Sequence, residues 1–67
     1  MQLFYAPDIS DFTYVFDEEE SRHIIKVLRL KKGDQIYITD GRGNLFKTRI
    51  EIADPKHCKV SVEEKTE

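Results

Sequence analysis

The second half of the chain alternates hydrophobic and polar residues with the period of two that is typical of half-buried β-strands. In the segment from Gln35 to Thr39, Ile36 and Ile38 fall on one face and Tyr37 falls on the other. Two more segments show the same alternation, and each follows a turn rich in Gly, Asp, Asn or Pro. Their predicted buried positions are Phe46, Thr48, Ile50 and Ile52 in the strand Leu45 to Ile52, and Cys58, Val60 and Val62 in the last strand. The pattern predicts a three-stranded antiparallel meander.

The first half of the chain predicts two short strands and then one helix. Gln2 to Ala6 and Tyr14 to Phe16 are rich in aromatic and β-branched residues, and turn-forming residues separate them. Asp17 and Glu20 form a D-x-x-E capping pattern, which predicts a helix from about residue 18 to residue 28. The expected buried stripe of this helix consists of Ile24, Ile25, Val27 and Leu28.

Length and composition limit how these elements can assemble. The chain has 67 residues, of which 39% are hydrophobic and 36% are charged, so it has room for one small domain with one core. We predict a mainly β fold with one helix, in which five or six short, mostly antiparallel strands form a small closed or nearly closed barrel. The helix is expected to cover an open end of that barrel. Residues Glu63 to Glu67 are expected to be a linker or a cut end.

Several classes of chemistry lack the residues that they need. Cys58 is the only cysteine, so no disulfide can form within the chain. His23, His57 and Cys58 lack the paired spacings of zinc sites, and no apolar run approaches the length of a membrane span. Ser21 and His23 do not share a helix face, and the adjacent His57 and Cys58 point to opposite sides of a strand. We therefore expect a cytoplasmic binding module that holds no metal or cofactor and is not catalytic alone.

The net charge of −2 conceals a strong segregation of charge along the chain. Residues 1–20 contain six acidic residues and no Lys or Arg, whereas residues 21–50 contain eight Lys or Arg against two Asp. The tail, residues 51–67, carries a net charge of −2. A basic middle segment can form a positive face of the kind that binds phosphate backbones, or it can simply keep a helix and strands solvated. Charge alone leaves both interpretations open.

Three further features allow more than one interpretation. Residues 40–44 read DGRGN, which lacks the GxxxxGK[ST] spacing of a phosphate-binding loop and predicts a hairpin turn with Arg42 at its tip. His23 is either a partly buried ring bonded to backbone or, with the cations of the helix around it, an RNA contact. The tyrosines could stack on unpaired bases, but in so small a chain we predict them to be core and rim residues. They are Tyr5, Tyr14 and Tyr37.

The segment from His23 to Asp34, HIIKVLRLKKGD, with Asp40-Gly41 after it, resembles the H-x-x-x-V-L-R-x-x-x-G-D…DG signature of the RsmE family. Members of that family are bacterial methyltransferases that modify N3 of a uridine in small-subunit (16S) ribosomal RNA. The resemblance, which covers nearly the whole chain, implies that residues 1–67 form the family's N-terminal PUA-like barrel, which binds RNA. It also implies a separate C-terminal SPOUT domain, which has a trefoil knot, binds S-adenosylmethionine and forms the homodimer, and which this chain does not include. The chain departs from the family at Gln2, where members often have Arg, so an RNA contact by that Arg is not carried over.

The resemblance and the charge pattern together predict an RNA-binding site made of His23, Lys26, Arg29 and Arg42. A helical spacing of six residues puts His23 and Arg29 on different faces, so Arg29 is expected to face the hairpin that carries Arg42. We predict that the four side chains border one RNA-facing surface, oriented by the turn at Gly33-Asp34. The alternative is an interaction module that docks on its own catalytic domain or on another partner without contacting RNA.

Overall fold

The computed structural model describes residues 3–10 and 12–67 and shows a five-stranded sheet with one helical segment. The elements are β1 (Leu3–Tyr5), β2 (Thr13–Val15), α1 (Glu18–Arg22), a π-helical turn (His23–Val27), β3 (Gln35–Thr39), β4 (Leu45–Ile52) and β5 (Lys59–Thr66). The predicted fold class, mainly β with one helix, is therefore confirmed. The prediction about Gln2 lies outside the described residues.

The sheet has the strand order β1-β3-β4-β5-β2. The predicted meander is present, because β3 pairs with β4 and β4 with β5 in antiparallel fashion. β2 lies antiparallel to β5, whereas β1 lies parallel to β3. Phe4 on β1 and Phe16, which follows β2, belong to opposite edges of the sheet, yet their ring centroids are 5.7 Å apart in an edge-to-face contact. The sheet is therefore curled into a half-barrel whose two edges approach each other around the core.

The buried residues come from the inward positions of the strands, as the alternation predicts. Ile36, Ile38, Phe46, Ile50 and Val60 are all at most 2% exposed. Thr48 is buried among them and satisfies its hydroxyl by donating to the carbonyl of Ile36 at 2.9 Å. This bond explains how a polar residue occupies an inward position without a large desolvation cost.

Two strand predictions are wrong. Ile52, predicted to be buried, is 49% exposed, because the pairing shifts between Ile50 and Ile52 and a bulge moves Ile52 out of the inward phase. Residues 63–66, predicted as part of a linker, belong to β5, and residues 64–66 pair with the start of β4. Their charged side chains hide the strand in the sequence, although Glu63 forms an ion pair with Arg49 across the sheet.

The helix begins where the capping pattern predicts it, but its second half is wound differently. The side chain of Asp17 accepts a hydrogen bond from the backbone N–H of Glu20 at 2.8 Å. After Arg22 the winding widens, and the N–H of Leu28 donates to the carbonyl of His23, five residues back, at 2.9 Å. The wider turn rotates Val27 away from the core, so Val27 is 65% exposed and the predicted stripe of four residues is only partly correct.

The helical segment covers the end of the half-barrel at which β3 and β5 begin. The buried hydroxyl of Ser21 donates to the carbonyl of Phe16 at 3.1 Å and accepts the N–H of Cys58 at 2.8 Å. The N–H of Gly33 donates to the carbonyl of Ile50, near the last residue of β4. We call this the helix end of the domain; residues 40–44 join β3 to β4 at the opposite end, the hairpin end.

Candidate nucleic-acid interface

Five cations follow one another in the segment that closes the helix end. Residues 22–32 contain no Asp or Glu, and the side chains of all five cations are exposed. We call this set the basic segment; its members are Arg22, Lys26, Arg29, Lys31 and Lys32. The sequence prediction named only Lys26 and Arg29 among them, although the absence of acidic residues over these positions is a signal that the sequence contains.

Pairing with carboxylates separates the basic segment from other cations of the chain. Arg49 donates to Glu63 at 2.9 Å and also to the carbonyl of Gly33, and Lys59 lies 3.5 Å from Glu51. These are the two ion pairs that the structure shows within residues 3–10 and 12–67, and neither involves residues 22–32. In the part of the chain that the structure describes, none of these five cations therefore forms an ion pair with a carboxylate.

Arg29 is held in an unusual backbone conformation just after the helical segment. Its φ is +57°, in the left-handed region that normally favours glycine, and it is the one non-glycine residue with positive φ among those described. The chain reverses direction here, and the N–H of the next residue, Leu30, donates to the carbonyl of Ile24 at 3.1 Å. A helix commonly ends with such a left-handed residue, so this backbone turn fixes where the Arg29 side chain leaves the helix.

The turn between the helical segment and β3 is closed by Asp34. One carboxylate oxygen of Asp34 accepts the backbone N–H of Lys31 at 2.8 Å, and Gly33 between them has a φ of +96°. The predicted role of Gly33-Asp34 in setting a turn is consistent with this geometry. His23 is the first residue of the π-helical turn and is exposed, so its predicted alternative as a partly buried ring is wrong.

Arg42 lies at the hairpin end, in a loop organised by one carboxylate. Asp40 accepts the N–H of Arg42 at 2.7 Å, the N–H of Asn44 at 3.3 Å and the side-chain amide of Asn44 at 2.7 Å. These bonds, led by the one from the Asn44 side chain, lower the pKa of Asp40 below its usual value. The loop is a hairpin turn, as predicted, and the side chain of Arg42 projects into solvent from its tip.

The four predicted site residues do not adjoin one another. His23, Lys26 and Arg29 belong to the helix end, whereas Arg42 lies beyond the full length of β3, which for five residues is about 16 Å. The expectation that Arg29 faces the hairpin of Arg42 is wrong, because Arg29 precedes the turn that leads into β3, and β3 then runs from the helix end to that hairpin. The predicted single surface is thus a pair of positive regions at opposite ends of the domain.

The three tyrosines occupy three different environments. Tyr14 packs edge-to-face on Phe16 with ring centroids 5.0 Å apart and donates its hydroxyl to Asp8 at 3.2 Å. Burial, and then the neighbouring charge of Asp8, raise the pKa of Tyr14. Tyr37 is half-buried on the outer face of β3. The prediction of core and rim residues fits these two, but Tyr5 is 65% exposed.

Burial limits the reactivity of the cysteine, and the described residues offer neither a metal site nor a membrane-spanning helix. Cys58 is fully buried, and this burial raises the pKa of its thiol to about 11, which keeps it protonated and unreactive. Within residues 3–10 and 12–67, no group of three or more His, Cys, Asp or Glu side chains could hold a metal ion. In that same part of the chain, every helix is too short to cross a bilayer.

Comparison with protein families identifies the class of this domain. Residues 16–63 match the family described as the RNA methyltransferase PUA domain. The match spans both the basic segment and the loop at residues 40–44. This chain therefore belongs to the RNA methyltransferase PUA domain family, and the resemblance stated from the sequence is confirmed at that level. No curated protein gave a significant match.

Solved structures of methyltransferases contain the same fold. A probable rRNA-methyltransferase from Porphyromonas gingivalis is 47% identical over 98% of this chain, with a TM-score of 0.83. A protein from Thermotoga maritima described as a predicted RNA methyltransferase is 31% identical over the whole chain, with a TM-score of 0.82. The ribosomal RNA small subunit methyltransferase E of Neisseria gonorrhoeae, solved with S-adenosyl methionine bound, is 24% identical over 98% of this chain with a TM-score of 0.83, which shows the shared fold. The chain spans only 27%, 31% and 28% of these three proteins.

Proposed function

We propose that this domain binds ribosomal RNA and positions it for a separate methyltransferase domain. In the proposed whole protein, a C-terminal SPOUT domain holds S-adenosylmethionine and forms a homodimer, and the substrate is N3 of a uridine in small-subunit rRNA in the cytoplasm. The RNA methyltransferase PUA family and the methyltransferases of similar fold support this assignment. The domain itself contributes affinity and orientation and carries out no chemical step.

The observation that carries the proposal is that the exposed cations of the basic segment form no ion pair among the described residues. Lys26 and Arg29 are exposed, belong to a stretch without acidic residues, and lie at the end of a domain whose remaining surface is acidic on balance. Exposed cations of this kind bind the phosphate groups of RNA, and this binding is favourable because it releases counterions from the nucleic acid. The domain as a whole has a charge of −2, so the position of the basic segment decides which of its faces can approach RNA.

We predict that replacing exposed cations weakens RNA binding in proportion to the phosphates they contact. The variants Lys26→Ala, Arg29→Ala and Arg42→Ala are compared with the wild type by titrating a hairpin of small-subunit rRNA at several salt concentrations. Each loss of a phosphate contact should make the negative slope of log affinity against log salt shallower by roughly 1. It should also weaken binding at low salt.

Lys59→Ala is the matched control, because the ammonium of Lys59 is already engaged by Glu51 at 3.5 Å. This variant should change the salt slope less than Lys26→Ala does. An unchanged affinity and slope in all three test variants, with native circular dichroism spectra, would contradict RNA binding through these residues.

A second role, docking on a catalytic domain, is supported by exposed hydrophobic residues on the outer face of the sheet. Val15 on β2 and Ile52 on β4 both pair with Lys59 and are 50% and 49% exposed. Val15→Ser and Ile52→Ser should weaken association with a separately produced catalytic domain while leaving the affinity for RNA unchanged. These substitutions remove no positive charge, so the variants separate the two roles.

A further inference from the structure

The side chain of Tyr5 occupies a position that no role proposed so far explains. It is the last residue of β1, it is 65% exposed, and it shares the outer face of the sheet with Tyr37 of the neighbouring strand, which pairs with Leu3. Tyrosine in a small domain normally buries its ring against the core, as Tyr14 does here. The exposure of Tyr5 therefore leaves a large flat surface in contact with solvent.

The ring of Tyr5 is seated on the backbone of Gly41. A Cβ atom placed on Gly41 would lie 2.7 Å from Cε1 of Tyr5 and 3.4 Å from its hydroxyl oxygen, so a larger residue at position 41 would have to displace the ring from this place. Gly41 also has a φ of +75°, a conformation that residues with side chains rarely adopt. The three nearest atoms of Tyr5, Cε1, Cζ and the hydroxyl oxygen, belong to one edge of the ring, so the loop contacts that edge and leaves the ring faces open.

Several hydrogen bonds hold the loop that contacts this edge of the ring. Asp40 accepts three hydrogen bonds within the loop, and the N–H of Gly41 donates to the hydroxyl of Thr39 at 3.1 Å. Thr39 pairs with Tyr5 in the sheet, so the strand and the loop are fixed to each other on both sides of the ring. An aromatic ring held in this way loses little conformational entropy when a ligand stacks on it.

The charge beside the ring points to the chemical class of the ligand. Arg42 directly follows Gly41 and is exposed, while the nearby carboxylate of Asp40 is mostly buried and bonded within the loop. An open aromatic face whose edge touches Gly41, with an exposed Arg as the following loop residue, suits a ligand that combines a flat ring with a phosphate, which is the combination found in unpaired nucleotides. A paired helix would offer the phosphate without an accessible base face.

We propose that Tyr5, seated on Gly41 beside Arg42, is a stacking site for an unpaired base of the bound RNA. This inference rests on the proposed function and adds a second, chemically different contact at the hairpin end. The basic segment contacts phosphates without regard to base stacking, whereas the Tyr5 site requires a nucleobase that is not paired.

The test uses a short oligouridylate and an abasic ribose-phosphate oligomer of the same length. Tyr5→Leu keeps an apolar side chain over Gly41 but removes the aromatic face, and it should weaken binding of the oligouridylate about ten-fold, the usual effect of losing one stacked base. Binding of the abasic oligomer and the slope of affinity against salt should not change, because no phosphate contact is lost. Tyr5→Phe should bind like the wild type.

Phe12→Ala is the matched control, because Phe12 is 80% exposed and lies next to β2 at the far edge of the sheet. It should leave both affinities unchanged. The chain contains no Trp, so Tyr5→Trp also provides a single reporter, whose fluorescence should be quenched by the oligouridylate and not by the abasic oligomer.

The outcomes distinguish the two proposals. If the wild type binds the oligouridylate and Lys26→Ala weakens it, but Tyr5→Leu binds as the wild type does, the stacking site is overturned and the proposed function stands. An equal loss for both oligomers in Tyr5→Leu would likewise overturn stacking. If the wild type binds neither oligomer nor the rRNA hairpin at low salt, both proposals fail.

Discussion

Arg29 shows how one residue can be costly for the fold and useful at the surface. A φ of +57° destabilises a residue that has a Cβ atom by about 1 kcal/mol or more relative to glycine, yet an arginine occupies this position. A backbone outlier of this kind is commonly retained at a site where the side chain has a function. The exposed guanidinium at the start of the turn to β3 is consistent with contact to RNA phosphates.

We therefore predict that stability and RNA affinity separate at position 29. Arg29→Gly and Arg29→Ala should weaken RNA binding equally, since both remove the guanidinium. In urea unfolding, Arg29→Gly should be more stable than Arg29→Ala by about 0.5 to 1 kcal/mol, because glycine relieves the left-handed strain and recovers more than its extra chain entropy. An Ala variant as stable as the Gly variant would show that the backbone at this position is not strained.

At the scale of elements, two turns decide what the domain presents to a partner. The π-helical turn after Arg22 moves Val27 outward and leads to the reversal at Arg29, so it shapes the basic segment. The loop at residues 40–44 supports Tyr5 and projects Arg42 from the opposite end. Both turns are stabilised by local hydrogen bonds, and the loop depends on the ionised carboxylate of Asp40.

This dependence predicts the response of the domain to acid. Bonds from Asn44 and Arg42 lower the pKa of Asp40 below its usual 3.8, so the unfolded chain takes up a proton more readily than the folded one. Backbone bonds from Lys56 and His57 do the same for Asp54, and Arg49 does so for Glu63. The free energy of unfolding should therefore be constant from about pH 5 to neutral pH and should fall as the pH decreases through 4 and below.

Asp40→Asn isolates the part of this acid-induced loss of stability that comes from the loop at residues 40–44. The variant should be less stable than the wild type at neutral pH, and the difference should shrink as the pH falls below 4, because the wild type then loses the same ionised acceptor. Glu67→Gln, at the exposed end of the chain, should follow the wild-type curve. A difference between Asp40→Asn and wild type that stays constant from pH 7 to pH 3 would contradict this assignment.

At the scale of the whole molecule, the curled sheet separates the two positive regions. The domain measures 30 × 20 × 20 Å, and β3 and β4 extend between the helix end and the hairpin end. An RNA that contacts both regions must follow the length of the half-barrel. The basic segment and Arg42 are too far apart to share a single phosphate.

This separation predicts that the two ends contribute independently. In the double variant Lys26→Ala/Arg42→Ala, the loss of binding free energy for the rRNA hairpin should equal the sum of the two single losses within about 0.5 kcal/mol. Lys26→Ala/Arg29→Ala, within one end, is the comparison pair, and its two residues are close enough to be coupled. Strong coupling between Lys26 and Arg42, measured by the same titrations, would show that they act as one contiguous site.

The sequence by itself determined the features that depend on local patterns. Alternation placed Ile36, Ile38, Phe46 and Ile50 in the core, Asp17 began the helix, and the run from His23 to Asp34 indicated the family. These features could be predicted because side-chain phase, capping and a motif each depend on residues close together in the chain.

Only the tertiary structure decided which of these residues meet. A bulge near Ile52 and a wide helical turn at Val27 each shift the phase by one residue, and neither leaves a signal in the hydrophobic pattern. Likewise, the sequence cannot show that Arg49 and Lys59 are paired with carboxylates while the basic segment is not. Nor can it show that β3 separates Arg29 from Arg42. The ion pairs and this separation both depend on how strands distant in sequence pair across the sheet.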